Sequence, residues 1–244
     1  MQSSGTDTSI EAPEILFEDN HLMVVRKPFG MLAQGDDSGD TNLLDWCKDK
    51  IREQTGKEGN IYATVLHRLD RPVGGLIAVA KTSKAAGRLS EDFKHKLNEK
   101  WYLAITEGLP EQPEDTLRHF LYKIPGKNIV RANTQPKKDD AKESLLYYRT
   151  LRVIGERALL EVFPLTGRQH QIRVQLAKMN APIVGDKKYG KTKFQPDRSI
   201  ALFARQLAFK HPTKRQKMRF VLPLPEEREP WRSFIENLED DVVV

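Results

Sequence analysis

Short apolar runs set between turn residues give the first part of the chain its shape. Residues 15–18 and 22–25 read as two strands joined through Asp19-Asn20-His21, with Lys27-Pro28-Phe29-Gly30 ending the second. Thr41 then caps a helix running to about residue 54, whose Leu43, Leu44, Cys47 and Ile51 share one face. Residues 56–60 are loop, and residues 62–66 and 76–81 are strands on either side of His67–Gly75. From Ser83 onward, Ala85, Leu89, Phe93 and Leu97 recur at every fourth position, the stripe of a helix packed on a core. The opposite face carries Arg88, Lys94, Lys96 and Lys100, charges that solvation alone explains and that RNA contact would also suit. Residues 101–105 form a further strand closed by Gly108-Leu109-Pro110.

The middle of the chain is less periodic. Residues 111–143 are rich in charge, Pro and Gly, and read as a connection with short strands around Leu121-Tyr122 and Ile129-Val130. Residues 145–153 and 158–163 pair as an antiparallel hairpin around Gly155-Glu156. Thr166 caps the next helix, with Ile172, Leu176 and Met179 as its buried face, and Asn180-Ala181-Pro182 ends it. Strands at 203–209 and 218–222 follow a basic loop, and residues 231–244 form a short amphipathic helix running into acid. The organisation expected is a disordered lead over residues 1–12, one folded unit over 13–238 made of two closely packed subdomains, and an acidic and apolar tail over 239–244.

Composition narrows the class. A chain of 244 residues can bury a substantial core, and no apolar run approaches the roughly 20 residues of a membrane span. Mean hydropathy is −0.58. The N-terminal residues are polar and then acidic, unlike a signal or transit peptide. A single cysteine, Cys47, excludes an internal disulfide and a cysteine-based zinc cluster, which suits a small core residue in a reducing, cytoplasmic setting. The net charge of +6 favours a polyanionic partner, and its patterning says more than its total. Lys187, Lys188, Lys191 and Lys193 form one basic cluster, and Lys214, Arg215, Lys217 and Arg219 another.

One stretch looks organised for chemistry. His67-Arg68-Leu69-Asp70-Arg71-Pro72-Val73-Gly74-Gly75 sets a carboxylate between two arginines, then a residue with fixed φ and two without side chains, then an apolar strand. An isolated Arg-x-Asp is ordinarily a surface ion pair. Here the backbone around Asp70 is shaped to hold it in place.

Taken with two other blocks, the chain resembles the RluA-type pseudouridine synthases. The blocks are His67-Arg68-Leu69-Asp70 before Gly75-Leu76, Lys100-Trp101-Tyr102-Leu103-Ala104, and Thr166-Gly167-Arg168-Gln169-His170-Gln171-Ile172-Arg173. Lys27-Pro28-Phe29-Gly30-Met31, Gly185-Asp186 with Tyr189-Gly190, and Leu207-Ala208-Phe209-Lys210-His211-Pro212 support them. The resemblance implies an α+β fold, a mixed and largely antiparallel central sheet flanked by helices. It implies isomerisation of uridine to pseudouridine in ribosomal or transfer RNA, with no cofactor and no metal; the absence of a long apolar run and of an exposed apolar heptad adds the expectation of no membrane, no obligatory protein partner and a monomer.

The same resemblance assigns roles. Asp70 is the catalytic carboxylate, Arg173 its guanidinium partner, and Tyr102 the active-site tyrosine, although a strand tyrosine can equally be a core residue. Arg68 lies beside the flipped nucleotide, and His67 contacts phosphate or braces the loop. Arg71, Arg168, Lys187 and Lys188 are RNA-binding candidates, while Leu69 and Ile172 support the site and His170 is structural. Two departures stand out: Val73-Gly74 replaces the hydroxyl residues usual there, and Gln175 stands where a histidine is common. Strands beginning by Ile15 leave no room for an N-terminal S4 domain. Two other classes remain to be weighed, a catalytically silent RNA-binding or chaperone protein of the same fold, and a metal-dependent hydrolase built from His67, Asp70 and His170.

Overall fold

A computed structural model of the chain describes residues 11–95, 97–190 and 199–235. The lead up to residue 10, Lys96, Lys191, Lys193 and the tail after residue 235 lie outside the described residues. In chain order the elements are β1 (Glu14–Glu18), β2 (Leu22–Lys27), α1 (Leu43–Thr55), β3 (Thr64–Val65), β4 (Gly74–Ala80), α2 (Ser83–Lys94), β5 (Glu99–Glu107), β6 (Glu114–Lys123), β7 (Val130–Asn133), β8 (Lys142–Ile154), β9 (Arg157–Pro164), α3 (Gln171–Lys178), β10 (Leu202–Lys210), β11 (Lys217–Val221) and α4 (Trp231–Ile235). Among the described residues the strands form one 11-stranded sheet, ordered β1-β2-β4-β10-β5-β9-β8-β6-β7, with β11 on β10 and β3 on β4. Of the strand pairs, β10 with β4 is parallel and the others are antiparallel. The mixed, largely antiparallel α+β sheet expected from the sequence is the sheet observed.

Its centre is set by β4, Gly-Gly-Leu-Ile-Ala-Val-Ala, buried along its whole length between β2 and β10. Gly75 permits that junction. It sits at φ +119°, and a Cβ there would lie 2.3 Å from the Ala204 carbonyl oxygen, inside the parallel pairing. The neighbouring Gly74 leaves room for the Phe29 ring, which stacks on Phe203 at 5.8 Å. A hydroxyl residue would not fit there without moving Phe29, which gives the departure at this position a packing reason.

Several local expectations are corrected. The cap of α1 is Asn42, not Thr41: the Asn42 side chain accepts the Asp45 N–H at 3.0 Å, and Gly56 closes the helix in the left-handed conformation. Helix α2 stops at Lys94, so Leu97 is not part of its stripe and is 56% exposed. The chain turns there, the Leu97 N–H bonding to the Asp92 carbonyl at 2.9 Å, and Lys100 belongs to β5. The expected connection at 111–143 contains the ten-residue strand β6 and its partner β7. Helix α3 begins only at Gln171. Its N-cap is His170 at φ 52° with no side-chain cap, while the Thr166 hydroxyl donates to Gln171 Oε1 at 2.8 Å and accepts the Leu145 N–H at 3.0 Å. This helix is buried from Gln171 to Leu176, so Arg173 and Gln175 lie inside the protein rather than on a solvated face.

Candidate active site

An open cleft of about 1650 Å³ runs across the sheet, lined by the Asp70 loop, the start of β5, the turn before α3, and Lys187 and Lys188. The loop is fixed from three directions. Leu69 is buried in the core beneath it, the Val73 N–H closes a turn on the Asp70 carbonyl at 3.0 Å, and the Ile200 N–H bonds to the Pro72 carbonyl at 3.1 Å. Arg71, on the cleft wall, is tied to the loop's surroundings: its Nε donates to the Gly30 carbonyl at 3.0 Å and its Nη1 meets Asp40 at 2.7 Å. Behind the loop, the Lys27 side chain is completely buried. Its Nζ donates to the carbonyls of Pro28 at 2.9 Å, Met31 at 2.7 Å and Arg71 at 3.3 Å.

These supports hold the Asp70 carboxylate at the cleft surface, its side chain 26% exposed. From α3, Arg173 Nη1 donates to Asp70 Oδ2 at 2.8 Å. The remaining edge of the same guanidinium forks onto Asp186, Nε to Oδ2 at 2.7 Å and Nη2 to Oδ1 at 2.8 Å. Asp186 is wholly buried, and its Oδ1 also accepts the Lys188 N–H at 3.1 Å. The Arg173 guanidinium lies over the Tyr189 ring at 5.3 Å. Burial works against its charge, but the hydrogen bonds and charge of Asp186, and then Asp70, outweigh burial and raise its pKa. Arg173 is thus a permanent buried cation shared by two carboxylates.

The cleft histidines are neutral near pH 7. Burial first, and then the charges of Arg173 and Lys188, bring His170 down to about 4 against the opposing pull of Asp70. Its Nε2 is 3.7 Å from Asp70 Oδ2, within reach of an ion pair, yet the ring lacks the charge to make one. Its Nδ1 meets the Tyr189 hydroxyl at 2.6 Å, and that hydroxyl also accepts the Val130 N–H at 3.0 Å, so the histidine ties α3 to β7. His67 accepts the Ala78 N–H through Nε2 at 3.3 Å and stacks on Phe93 at 5.5 Å, which makes it a brace for the loop. Burial, followed by the charge of Lys100, lowers its pKa to about 3. His67, Asp70 and His170 do not converge as ligands, and the described residues contain no group of three His, Cys, Asp or Glu able to share a metal ion.

Tyr102 and Ile172 are buried and line the same cleft as Asp70. Burial, with Asp70 nearby, raises the Tyr102 phenol, which stays protonated. Arg68 is exposed on the cleft wall and makes no ion pair among the described residues. Arg168, Lys187 and Lys188 stand on the rim, Lys188 Nζ reaching the Asn128 carbonyl at 2.8 Å. The second basic cluster is not brought to the cleft: Arg215 pairs with Asp92, Lys217 with Glu99, and Arg219 donates to Gln206. Sequence reasoning missed Lys27, Asp186 and Tyr189 as parts of the site. Gly185-Asp186 and Tyr189-Gly190 were legible as motif pieces, but nothing in their spacing places them against Arg173.

A buried arginine thus holds a presented carboxylate in a cleft lined by Arg68, Arg168, Lys187 and Lys188, and the chain spans little more than half the length of the first relatives it matches. The family model described as RNA pseudouridylate synthase matches residues 21–178, a span that contains Asp70, Tyr102 and Arg173, and the chain belongs to that family. It is 31% identical over 183 residues to the ribosomal large subunit pseudouridine synthase C of Rickettsia bellii, covering 75% of this chain and 58% of that protein. It is 30% identical over 228 residues to an uncharacterized RNA pseudouridine synthase of Bacillus subtilis, covering 92% and 72% of the two chains. The structure of human RNA pseudouridylate synthase domain containing 4 has the same fold, with a TM-score of 0.72 at 24% identity over 92% of this chain and 91% of the other.

Proposed function

We propose that this protein isomerises specific uridines to pseudouridine in structured RNA, ribosomal or transfer, acting as a cytoplasmic monomer without metal or cofactor. In that reaction the N1–C1′ bond breaks, the uracil turns while bound, C5 joins C1′, the proton on C5 leaves to solvent, and N1 takes up a proton in its place. The observation that carries the reading is the Asp70–Arg173–Asp186 array. It supplies one carboxylate fixed at the cleft surface and hydrogen-bonded to a buried guanidinium, whose other edge forks onto Asp186. Asp70 then acts at the sugar, by adding to C1′ or by taking the 2′ proton.

A carboxylate at the floor of a cleft reaches C1′ only if the nucleotide leaves its stack, at a cost of a few kcal/mol. Arg68, exposed on the wall and without an ion pair among the described residues, fills the space left behind. Tyr102 offers its ring to the extruded uracil, and its raised pKa keeps it a neutral phenol during the reaction. Arg168, Lys187 and Lys188 on the rim meet phosphates, which orient RNA without reading its bases. The test is RNA transcribed with tritium at C5 of uridine. Release of tritium to water by the protein is expected; RNA bound without any release would make this a binding protein of the same fold.

A further inference from the structure

Most cations on the cleft wall are partnered or exposed. Arg71 has Asp40, Lys94 has Glu91, Arg173 has two carboxylates, and Arg68 and Lys187 stand in solvent. Lys100 is different. It is half-buried at the start of β5, and among the described residues its ammonium has neither a hydrogen bond nor an ion pair; its Nζ lies 5.5 Å from the Phe93 ring. The ring face offsets part of the cost of drying an ammonium, but no carboxylate does. Burial accordingly lowers its pKa, with no opposing influence. Its neighbour His67 is neutral, so Lys100 is the local positive charge.

Strand geometry says where that charge acts. Lys100 and Tyr102 are two residues apart on β5, on the same face and roughly 7 Å apart along the strand, and both line the cleft that holds Asp70. We infer that Lys100 is a phosphate-binding positioning residue: its ammonium takes a phosphodiester oxygen of the RNA beside the nucleotide seated over Asp70 and Tyr102. This rests on the RNA-modifying reading above and adds to it a fixed point for the backbone inside the cleft. An isolated cation that burdens the free protein gains its counter-ion only when substrate arrives.

The test compares wild type, Lys100→Met and Lys100→Arg, using unmodified large-subunit ribosomal RNA transcribed in vitro as the probe. Methionine keeps the packing on Phe93 and removes the charge. Expected for Lys100→Met are RNA binding weaker by about ten- to a hundredfold, the loss of one charge-assisted hydrogen bond, and a plot of log affinity against log salt shallower by about 0.7 to 0.9. Its thermal midpoint should equal or exceed that of wild type, and Lys100→Arg should restore most of the binding. Wild-type affinity and salt slope in Lys100→Met would overturn the assignment. So would weaker binding with an unchanged slope, or a lower midpoint that arginine does not rescue, since either would place Lys100 in packing. Binding by the wild type without pseudouridine formation would defeat the reading of the reaction alone, and the Lys100 comparison would still be read from affinity. No RNA binding at all would overturn both.

Discussion

Lys27 is a fully buried charged side chain behind the Asp70 loop, and its removal has a calculable signature. Burial, eased by the charge of Asp70 and aggravated by that of Arg71, lowers its pKa from 10.5 to about 7. At ~1.4 kcal/mol per pH unit, that difference corresponds to about 5 kcal/mol. The sign follows from linkage. Below pH 7 the lysine is charged in both folded and unfolded chains, and folding bears the whole desolvation cost. Above pH 7 the folded protein sheds the proton while the unfolded chain keeps it up to 10.5, so the unfolded state binds more protons and stability rises with pH. Between pH 7 and 9 Lys27 therefore adds about 2 kcal/mol to wild-type stability. Lys27→Met lacks this rise, although it also strands the carbonyls of Pro28, Met31 and Arg71, each worth about 1 to 3 kcal/mol. Absolute stabilities thus nearly cancel, and the pH slope is the clean readout. Urea unfolding of both proteins at pH 7 and pH 9 should show wild type gaining on Lys27→Met by about 2 kcal/mol. Parallel pH dependence in the two proteins would refute the argument that this ammonium is desolvated.

Two further substitutions test the frame of the site. Asp186→Asn leaves the buried Arg173 with Asp70 as its one carboxylate; a loss of about 3 to 5 kcal/mol in urea unfolding is expected, together with loss of product, and unchanged stability would show that the fork onto Asp186 is dispensable. Gly75→Ala should fail to fold, or melt far below wild type, because its Cβ would strike Ala204 across the β4–β10 pairing. Gly87→Ala, in α2 with open space at the Cβ position, should instead stabilise by up to ~1 kcal/mol in the same melting experiment.

How far the sequence could be read depended on whether local pattern and tertiary role agreed. The β8–β9 hairpin and the buried strand β4 follow directly from apolar runs and turn residues, and the order of the family blocks along the chain gave the fold class. Strand β6 was hidden because His119 occupies one of its inward positions between Leu117 and Leu121. That histidine lies inside the protein against Gln175 Nε2 at 3.1 Å, so a polar residue breaks an alternation that is apolar in effect. Helix α3 deceives in the same way, burying Arg173 and Gln175 on faces that periodicity would leave to solvent. The Asp70–Arg173 pair joins residues 103 positions apart, and Asp186 enters from a loop, so resemblance could name the first pair but no spacing could reveal the third member. Lys27 reads as a strand-ending lysine; only the three carbonyls converging on it show why it is buried.

In the proposed reaction Asp70, fixed by Arg173, performs the isomerisation. Its most direct measurement is to incubate the purified protein, without added metal or cofactor, with unmodified total RNA and to map new pseudouridines at single-nucleotide resolution, with Asp70→Asn alongside. Asparagine keeps an acceptor for Arg173, and the Asp186 fork remains, so the variant should fold normally, which its melting curve would verify. Sites made by the wild type and absent with folded Asp70→Asn would establish the reaction and name the substrate. Substantial pseudouridine from Asp70→Asn, or none from the wild type with RNA bound, would contradict the account.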